Sequence, residues 1–157
     1  MKKLIFPFLI LGFFLTSCEN DDDVCVSGEA TPRLKIKFKS ADNKVLTLDS
    51  LYLDVDYGNN NILTVVKAAK VDSALIPIRV DDAGFTELYV RKTKKGSVSK
   101  IKLNYNTTSE YVSPACGFKR LYQNLSGTLE TANPVTKVEL NQNQIINENK
   151  AHLYLVF

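Results

Sequence analysis

Leu34-Lys35-Ile36-Lys37-Phe38-Lys39 alternates strictly between apolar and cationic side chains. Successive side chains of an extended chain point to opposite faces. This hexapeptide therefore predicts a half-buried β-strand, with Leu34, Ile36 and Phe38 on a core and three ammonium groups in water. The same period returns where Leu51, Leu53, Val55 and Tyr57 alternate with Tyr52, Asp54 and Asp56. Gly58-Asn59-Asn60-Asn61 then punctuates, and a run from Ile62 to Ala68 follows, which is the composition of a hairpin. Further strand-like segments are Ala74 to Val80, Thr86 to Lys92, Ser97 to Tyr105, Phe118 to Leu125, Val135 to Leu140 and Ala151 to Phe157. Asp81-Asp82-Ala83-Gly84 and Thr93-Lys94-Lys95-Gly96 supply turns. Pro77 places its segment at an edge or a bulge, because proline has no N–H for a ladder. Asn141 to Lys150 is the one stretch with room for a helical turn, which its asparagines disfavour. Eight or nine short strands without an amphipathic helix predict an all-β chain. One apolar face per strand suits an antiparallel β-sandwich, immunoglobulin-like or related, better than a barrel. The closing segment His152-Leu153-Tyr154-Leu155-Val156-Phe157 is too apolar to be left in water and is expected to pair within a sheet.

Upstream of this body the pattern changes. Lys2 and Lys3 precede a twelve-residue apolar run, Leu4 to Leu15, which ends in Leu15-Thr16-Ser17-Cys18. A basic start, a short apolar stretch and small residues before a cysteine read as a lipoprotein signal peptide over residues 1–17. The run falls short of the about 20 residues a spanning helix needs, and Pro7 and Gly12 interrupt it. Cleavage before Cys18 leaves a thiol to carry a diacylglycerol. Two or more acyl chains hold a protein at a membrane, at about 0.8 kcal/mol per buried methylene. Glu19-Asn20-Asp21-Asp22-Asp23 comes next, and its self-repulsion favours an extended, solvated spacer. The expected organisation is a signal peptide over 1–17, a flexible, acidic, lipidated tether over 18–30 and a sandwich domain over 31–157. A spanning anchor, which the short run disfavours, and ordinary secretion, which the Leu-x-Ser-Cys spacing disfavours, are the alternatives.

Removing the signal leaves about 140 residues, enough for one domain. The composition, 45% hydrophobic and 24% charged, is that of a globular protein. Two of the three excess positive charges lie at Lys2 and Lys3, so the remainder is near +1 and gives no argument for a nucleic-acid partner. Besides Cys18 the chain has Cys25 and Cys116. An even pair in an oxidising setting predicts a Cys25–Cys116 disulfide, closing a loop of roughly 90 residues and contributing about 4 kcal/mol in the chain-entropy picture. Two free thiols are the alternative. A metal site fails on ligand count, with one histidine and no C-x-x-C spacing.

Two stretches carry a family resemblance: Cys18-Glu19-Asn20-Asp21-Asp22-Asp23-Val24-Cys25 with Thr31-Pro32-Arg33-Leu34-Lys35-Ile36-Lys37-Phe38, and Tyr111-Val112-Ser113-Pro114-Ala115-Cys116-Gly117-Phe118-Lys119. Together they resemble a family of small Bacteroidota (flavobacterial) lipoproteins of uncharacterised function. The resemblance implies export, acylation at Cys18, a paired second and third cysteine and no assigned reaction. It also implies that Glu19, Asn20, Asp21, Asp22 and Asp23 form the acidic signal for the outer face of the outer membrane, with the periplasmic face as alternative. Asn20 stands where the resembling proteins more often carry lysine.

Candidate chemistry is sparse, and neither a catalytic residue, a metal nor a cofactor is expected. His152 is the single histidine and would have to serve any Ser–His–Asp arrangement, with Asp49 or Asp72, but no Gly-x-Ser-x-Gly elbow occurs. Asp54 and Asp56 share a strand face. With Asn59 and Asn60 they offer oxygen ligands to calcium, yet Val65 stands where that loop needs a glutamate. The same two carboxylates are the only basis for a glycan-hydrolase reading. Lys92, Lys94 and Lys95 form a basic tip, and Arg33, Lys35, Lys37 and Lys39 a basic stripe. Either can meet an acidic glycan or guard a sheet against edge-to-edge association. Tyr52, Tyr89, Tyr111 and Tyr122 are the aromatic candidates for a glycan platform, and each also suits a strand. Asp49-Ser50-Leu51 and Asp72-Ser73-Ala74 resemble a Bacteroidota O-glycosylation pattern. The expected partners are the membrane, through lipid on Cys18, and an unidentified envelope protein or glycan. The apolar last strand also suggests a fimbria-like, strand-exchanging subunit.

Overall fold

A computed structural model describes residues 30–59, 61–114 and 116–157. The segments expected as signal peptide and tether, all but Ala30 and including Cys18, Cys25 and Glu19 to Asp23, lie outside the described residues. Nine strands are found among the described residues: β1 (Leu34–Lys39), β2 (Leu48–Asp56), β3 (Ile62–Val71), β4 (Ser73–Ile76), β5 (Phe85–Arg91), β6 (Ser99–Ser113), β7 (Gly117–Thr131), β8 (Lys137–Leu140) and β9 (Leu153–Val156). They form a four-stranded sheet, β4-β1-β9-β8, and a five-stranded sheet, β3-β2-β5-β6-β7, packed as a β-sandwich.

The alternation that predicts the strands also fills the core. Leu34, Ile36 and Phe38 of β1 are fully buried, as are Leu51, Leu53 and Val55 of β2. From other strands of the two sheets come Leu88, Val90, Ile101, Leu103, Leu153 and Leu155. Phe157 closes one end of this core edge-to-face on Phe38, with ring centroids 5.9 Å apart. β4 lies at a sheet edge and ends immediately before Pro77, where the missing N–H costs no ladder bond.

One pairing departs from the antiparallel expectation. β9 runs antiparallel to β8 but parallel to β1, in the register Ile36↔Leu153 to Lys39↔Val156. β1 and β9 are the first and last strands, so no tight turn dictates their relative direction. β9 is hydrogen-bonded on both sides. The apolarity that suggested strand exchange is thus accounted for inside the domain.

β6 and β7 are fifteen residues each, far longer than the segments 97–105 and 118–125 that the pattern marks. Past Asn104, which pairs with the first residue of β5, the hairpin continues without a neighbouring strand. Its outer part is polar, Asn106-Thr107-Thr108-Ser109-Glu110, so the hydrophobic period that reveals a strand is missing there. The β-branched residues and the cross-strand ladder still hold it extended. At about 3.4 Å per residue this arm reaches roughly 30 Å beyond β5.

No helix forms over 141–150. That backbone is engaged elsewhere: Asn141 N–H donates to His152 O (2.8 Å), Leu125 N–H to Asn143 O (2.8 Å) and Ile145 N–H to Tyr122 O (2.8 Å). Ile145 is fully buried by this docking.

Gly127 of β7 lies where the two sheets come close at their β7–β8 side. A Cβ there would stand 3.0 Å from Val138 Cγ1 and 3.5 Å from Leu103 Cδ2. Gly127→Val is therefore expected to destabilise the domain by about 1–3 kcal/mol through overpacking. A lower urea midpoint at unchanged m-value is the measurement, and an unchanged midpoint would contradict it.

Candidate functional site

The basic stripe of β1 is the place to begin, because folding treats its four cations differently. Arg33 is engaged by a bidentate pair, Nε to Glu148 Oε1 (2.8 Å) and Nη2 to Oε2 (2.9 Å). The guanidinium holds the Glu148 carboxyl below its ordinary range. Lys35 Nζ donates to the Glu148 carbonyl at 2.9 Å. Lys39 Nζ pairs with Glu139 Oε2 (2.9 Å) and sits 4.1 Å over the Tyr154 ring. Lys137 and Lys39 together lower the Glu139 carboxyl to about 2. Lys37 alone of the four has a head group without a hydrogen bond or ion pair among the described residues.

Lys37 faces a cleft of about 270 Å³ on the outer side of the four-stranded sheet, lined by Lys35, Lys37, Asn141, Asn149, Lys150 and Tyr154. Lys37 and Tyr154 are register partners on β1 and β9, so the floor is set by the sheet. The wall is the 141–151 loop. Lys150 brings to it a second ammonium with neither a hydrogen bond nor an ion pair among the described residues. Asn141 Nδ2 donates to Ala151 O at 2.7 Å and ties the two ends of the loop together.

His152 holds that wall in place. It is buried, Lys35 N–H donates to its Nδ1 (2.8 Å) and its own backbone N–H donates to Lys35 O (2.8 Å). Burial pushes the imidazole pKa down, against a backbone hydrogen bond at Asn147 that raises it. A neutral ring engaged by backbone on both sides is a clamp. Its partners are Lys35 and Asn147, and neither Asp49 nor Asp72 is among them. Chemically the cleft offers two cations with neither a hydrogen bond nor an ion pair among the described residues, two amides and one aromatic ring, the donor set for a carboxylated or sulfated sugar.

The other sequence candidates lie apart from it. Asp54 Oδ2 accepts from Arg91 Nη2, and its Oδ1 from Thr64 Oγ1 at 2.6 Å. Asp56 Oδ1 caps the following turn through Gly58 N–H (2.7 Å). Asn60, the fourth oxygen donor considered for calcium, is outside the described residues. No cluster of three or more metal-ligating side chains occurs among the described residues. Tyr52 and Tyr89 stand on the outer face of the five-stranded sheet in a lattice of paired charges. There Lys100 bridges Glu87 (2.9 Å) and Glu130 (3.0 Å), and Tyr89 OH donates to Glu87 (3.1 Å). Those carboxylates raise the Lys100 pKa. Tyr122 is fully buried and cannot be a platform; strand propensity alone does not separate an inward from an outward tyrosine here. Tyr154, which does line a concave surface, carries no mark in the sequence, because its neighbours read only as an apolar strand.

In the basic tip, Lys92 lies 4.9 Å over the Phe157 ring and the Lys94 carbonyl accepts from Arg91 (3.1 Å). Ser50 Oγ donates to Lys92 O, and Ser73 Oγ to Asp72 Oδ1 (2.9 Å). Cys116 sits in the turn of the β6–β7 arm and is not free, while Cys25 lies outside the described residues. No helix among the described residues is long and apolar enough to cross a membrane.

No curated protein and no solved structure matches this chain. A family model does match residues 43–157, from just after β1 to the final residue, and covers both the cleft wall and the arm. The chain thus belongs to a family of unknown function, DUF6452.

Proposed function

We propose that this chain is a Bacteroidota outer-membrane lipoprotein that binds an acidic envelope glycan in the cleft beside Lys37. Lipid on Cys18 anchors it, the acidic segment Glu19 to Asp23 directs it to the cell surface, and a Cys25–Cys116 bond staples the tether to the domain. The role is binding and not catalysis. One observation carries the reading: two ammonium groups with neither a hydrogen bond nor an ion pair among the described residues, Lys37 and Lys150, share a concave surface with Lys35, Tyr154, Asn141 and Asn149. The cleft lining holds lysines and no carboxylate, so its local potential is positive and favours an anionic ligand.

Charge-assisted hydrogen bonds contribute about 1.5–3 kcal/mol each. Replacing both cations, Lys37→Glu with Lys150→Glu, is expected to weaken binding of oligogalacturonate by about a hundredfold or more. Neutral dextran is expected to show no binding to either form. Calorimetric titration of the wild-type chain with no heat from oligogalacturonate or from dextran sulfate would remove the glycan reading. Mass spectrometry of the N-terminal peptide tests the anchor separately.

A further inference from the structure

We propose that the tip of the β6–β7 arm docks on the lipid surface beside the anchor, with Phe118 and Tyr111 as its interfacial contacts. This rests on the lipid-anchor reading and adds a second point of attachment to it. Phe118 and Tyr111 are register partners across the arm and pack edge-to-face with centroids 5.4 Å apart. They are nevertheless 69% and 56% exposed. Exposed Pro114 and half-buried Val112 extend the apolar surface around the turn. Directly behind the rings come Lys119, paired with Glu110 (2.8 Å), and Arg120, paired with Asp82 (3.2 Å). An aromatic tip backed by cations is the composition that settles at the headgroup boundary of a bilayer.

The chain itself points to a membrane as the occupant. The arm and the entry of the chain lie at the same end of the sandwich, because Arg120 N–H of β7 donates to Thr31 Oγ1 at 2.9 Å. Twelve residues separate Cys18 from Thr31. Fully extended they span at most about 43 Å, while the arm tip projects roughly 10 Å past Arg120. A lipid on Cys18 therefore confines the tip to within a few tens of ångströms of the bilayer, and a Cys25–Cys116 bond shortens the distance further. Such proximity makes a weak interfacial contact effective, as for any second attachment on a short linker.

The chain contains no tryptophan, so one substitution makes a site-specific reporter. Phe118→Trp and Val45→Trp both place the indole at an exposed position that the core does not need. Val45, 71% exposed, sits beside Lys39 at the far end of β1. Full-length acylated chains are purified from membranes and reconstituted into phosphatidylethanolamine–phosphatidylglycerol vesicles. The expected result is a blue-shifted emission from the Phe118→Trp chain, quenched by lipids brominated near the headgroup, with emission from the Val45→Trp chain unaffected. A vesicle-bound, acylated Phe118→Trp chain whose emission is unshifted and unquenched overturns the proposal and leaves the anchor standing. Emission from that chain already blue-shifted in detergent-free buffer and unchanged by vesicles assigns the tip to the tether or to a second copy and also overturns it. A chain without acyl groups on Cys18 removes the anchor and this proposal with it.

Discussion

Replacing Tyr122 by alanine is expected to cost about 3–5 kcal/mol of stability, the range for removing a large buried aromatic ring. Tyr122 is the largest fully buried side chain among the described residues. It packs edge-to-face on Tyr105 with centroids 5.0 Å apart, and its hydroxyl donates to the Arg79 carbonyl at 3.2 Å. Its backbone exchanges both hydrogen bonds with Ile145, so the ring lies where the arm, the 141–150 loop and the core meet. Tyr122→Phe is expected to cost only about 1 kcal/mol. The ring stays, and the Arg79 carbonyl keeps a longer bond from Tyr105 OH at 3.4 Å. Urea denaturation of the two variants separates packing from hydrogen bonding. Equal losses in both would show that the hydroxyl, and not the ring, carries the effect. Hydrogen exchange in Tyr122→Ala should also speed up first in the arm and in residues 141–150, which share this anchor.

The next largest effect is expected at His152. Alanine there leaves the Lys35 N–H without its 2.8 Å acceptor in a partly buried site, empties the buried space of the ring and releases the loop at Asn147, for a loss of about 2–4 kcal/mol. The ring also makes stability depend on pH with a definite sign. Burial lowers its folded pKa below the ordinary value of 6.5, so on acidification the unfolded chain takes up this proton first. The stabilisation from neutral His152 is complete above pH 6.5 and declines as pH falls from there through the folded pKa. Lys35 adds to the lowering, and Glu148 opposes it. Glu87, Glu139, Glu148 and Asp81, all lowered by cationic partners, lose their contributions only as pH falls through the ordinary carboxylate range and below it. The window from about pH 7 to 5 is left to the imidazole. His152→Asn keeps an acceptor for the Lys35 N–H without a titrating ring. Its urea midpoint is expected to be nearly flat between about pH 7 and 5, where the wild-type midpoint falls. A wild-type midpoint that rises on acidification would contradict the assignment of a neutral, clamped ring.

How much could be read before folding differed from one part of the chain to another. The period-two alternation of Leu34 to Lys39 and of Leu51 to Tyr57 gave the inner faces correctly, because side-chain direction on a strand is a local property. The Pro77 edge and the Gly58 turn followed from backbone chemistry that a single residue imposes. The arm was hidden because its outer half has no buried face, and a ladder of backbone hydrogen bonds leaves no trace in side-chain type. The helical turn for which Asn141 to Lys150 had room failed for a non-local reason: β7 and His152, distant in sequence or beyond the loop's end, take its hydrogen-bonding groups.

The site divides the same way. Residue order alone gave the all-strand body and the short apolar run that precedes Cys18, since periodicity and composition are written into neighbouring positions. It also marked Lys35, Lys37 and Lys39 as one outward face. Which of these cations keeps a head group without a partner among the described residues depended on the Glu139 carboxylate and the Glu148 carbonyl, about a hundred positions away, which only the packed sheet brings within 3 Å. The same packing turned His152 from the one titratable candidate for catalysis into a buried clamp, and put Tyr154 at the floor of a cleft. Ionic and hydrogen-bond energies fall off over a few ångströms, and distances on that scale between remote residues exist only in the folded chain.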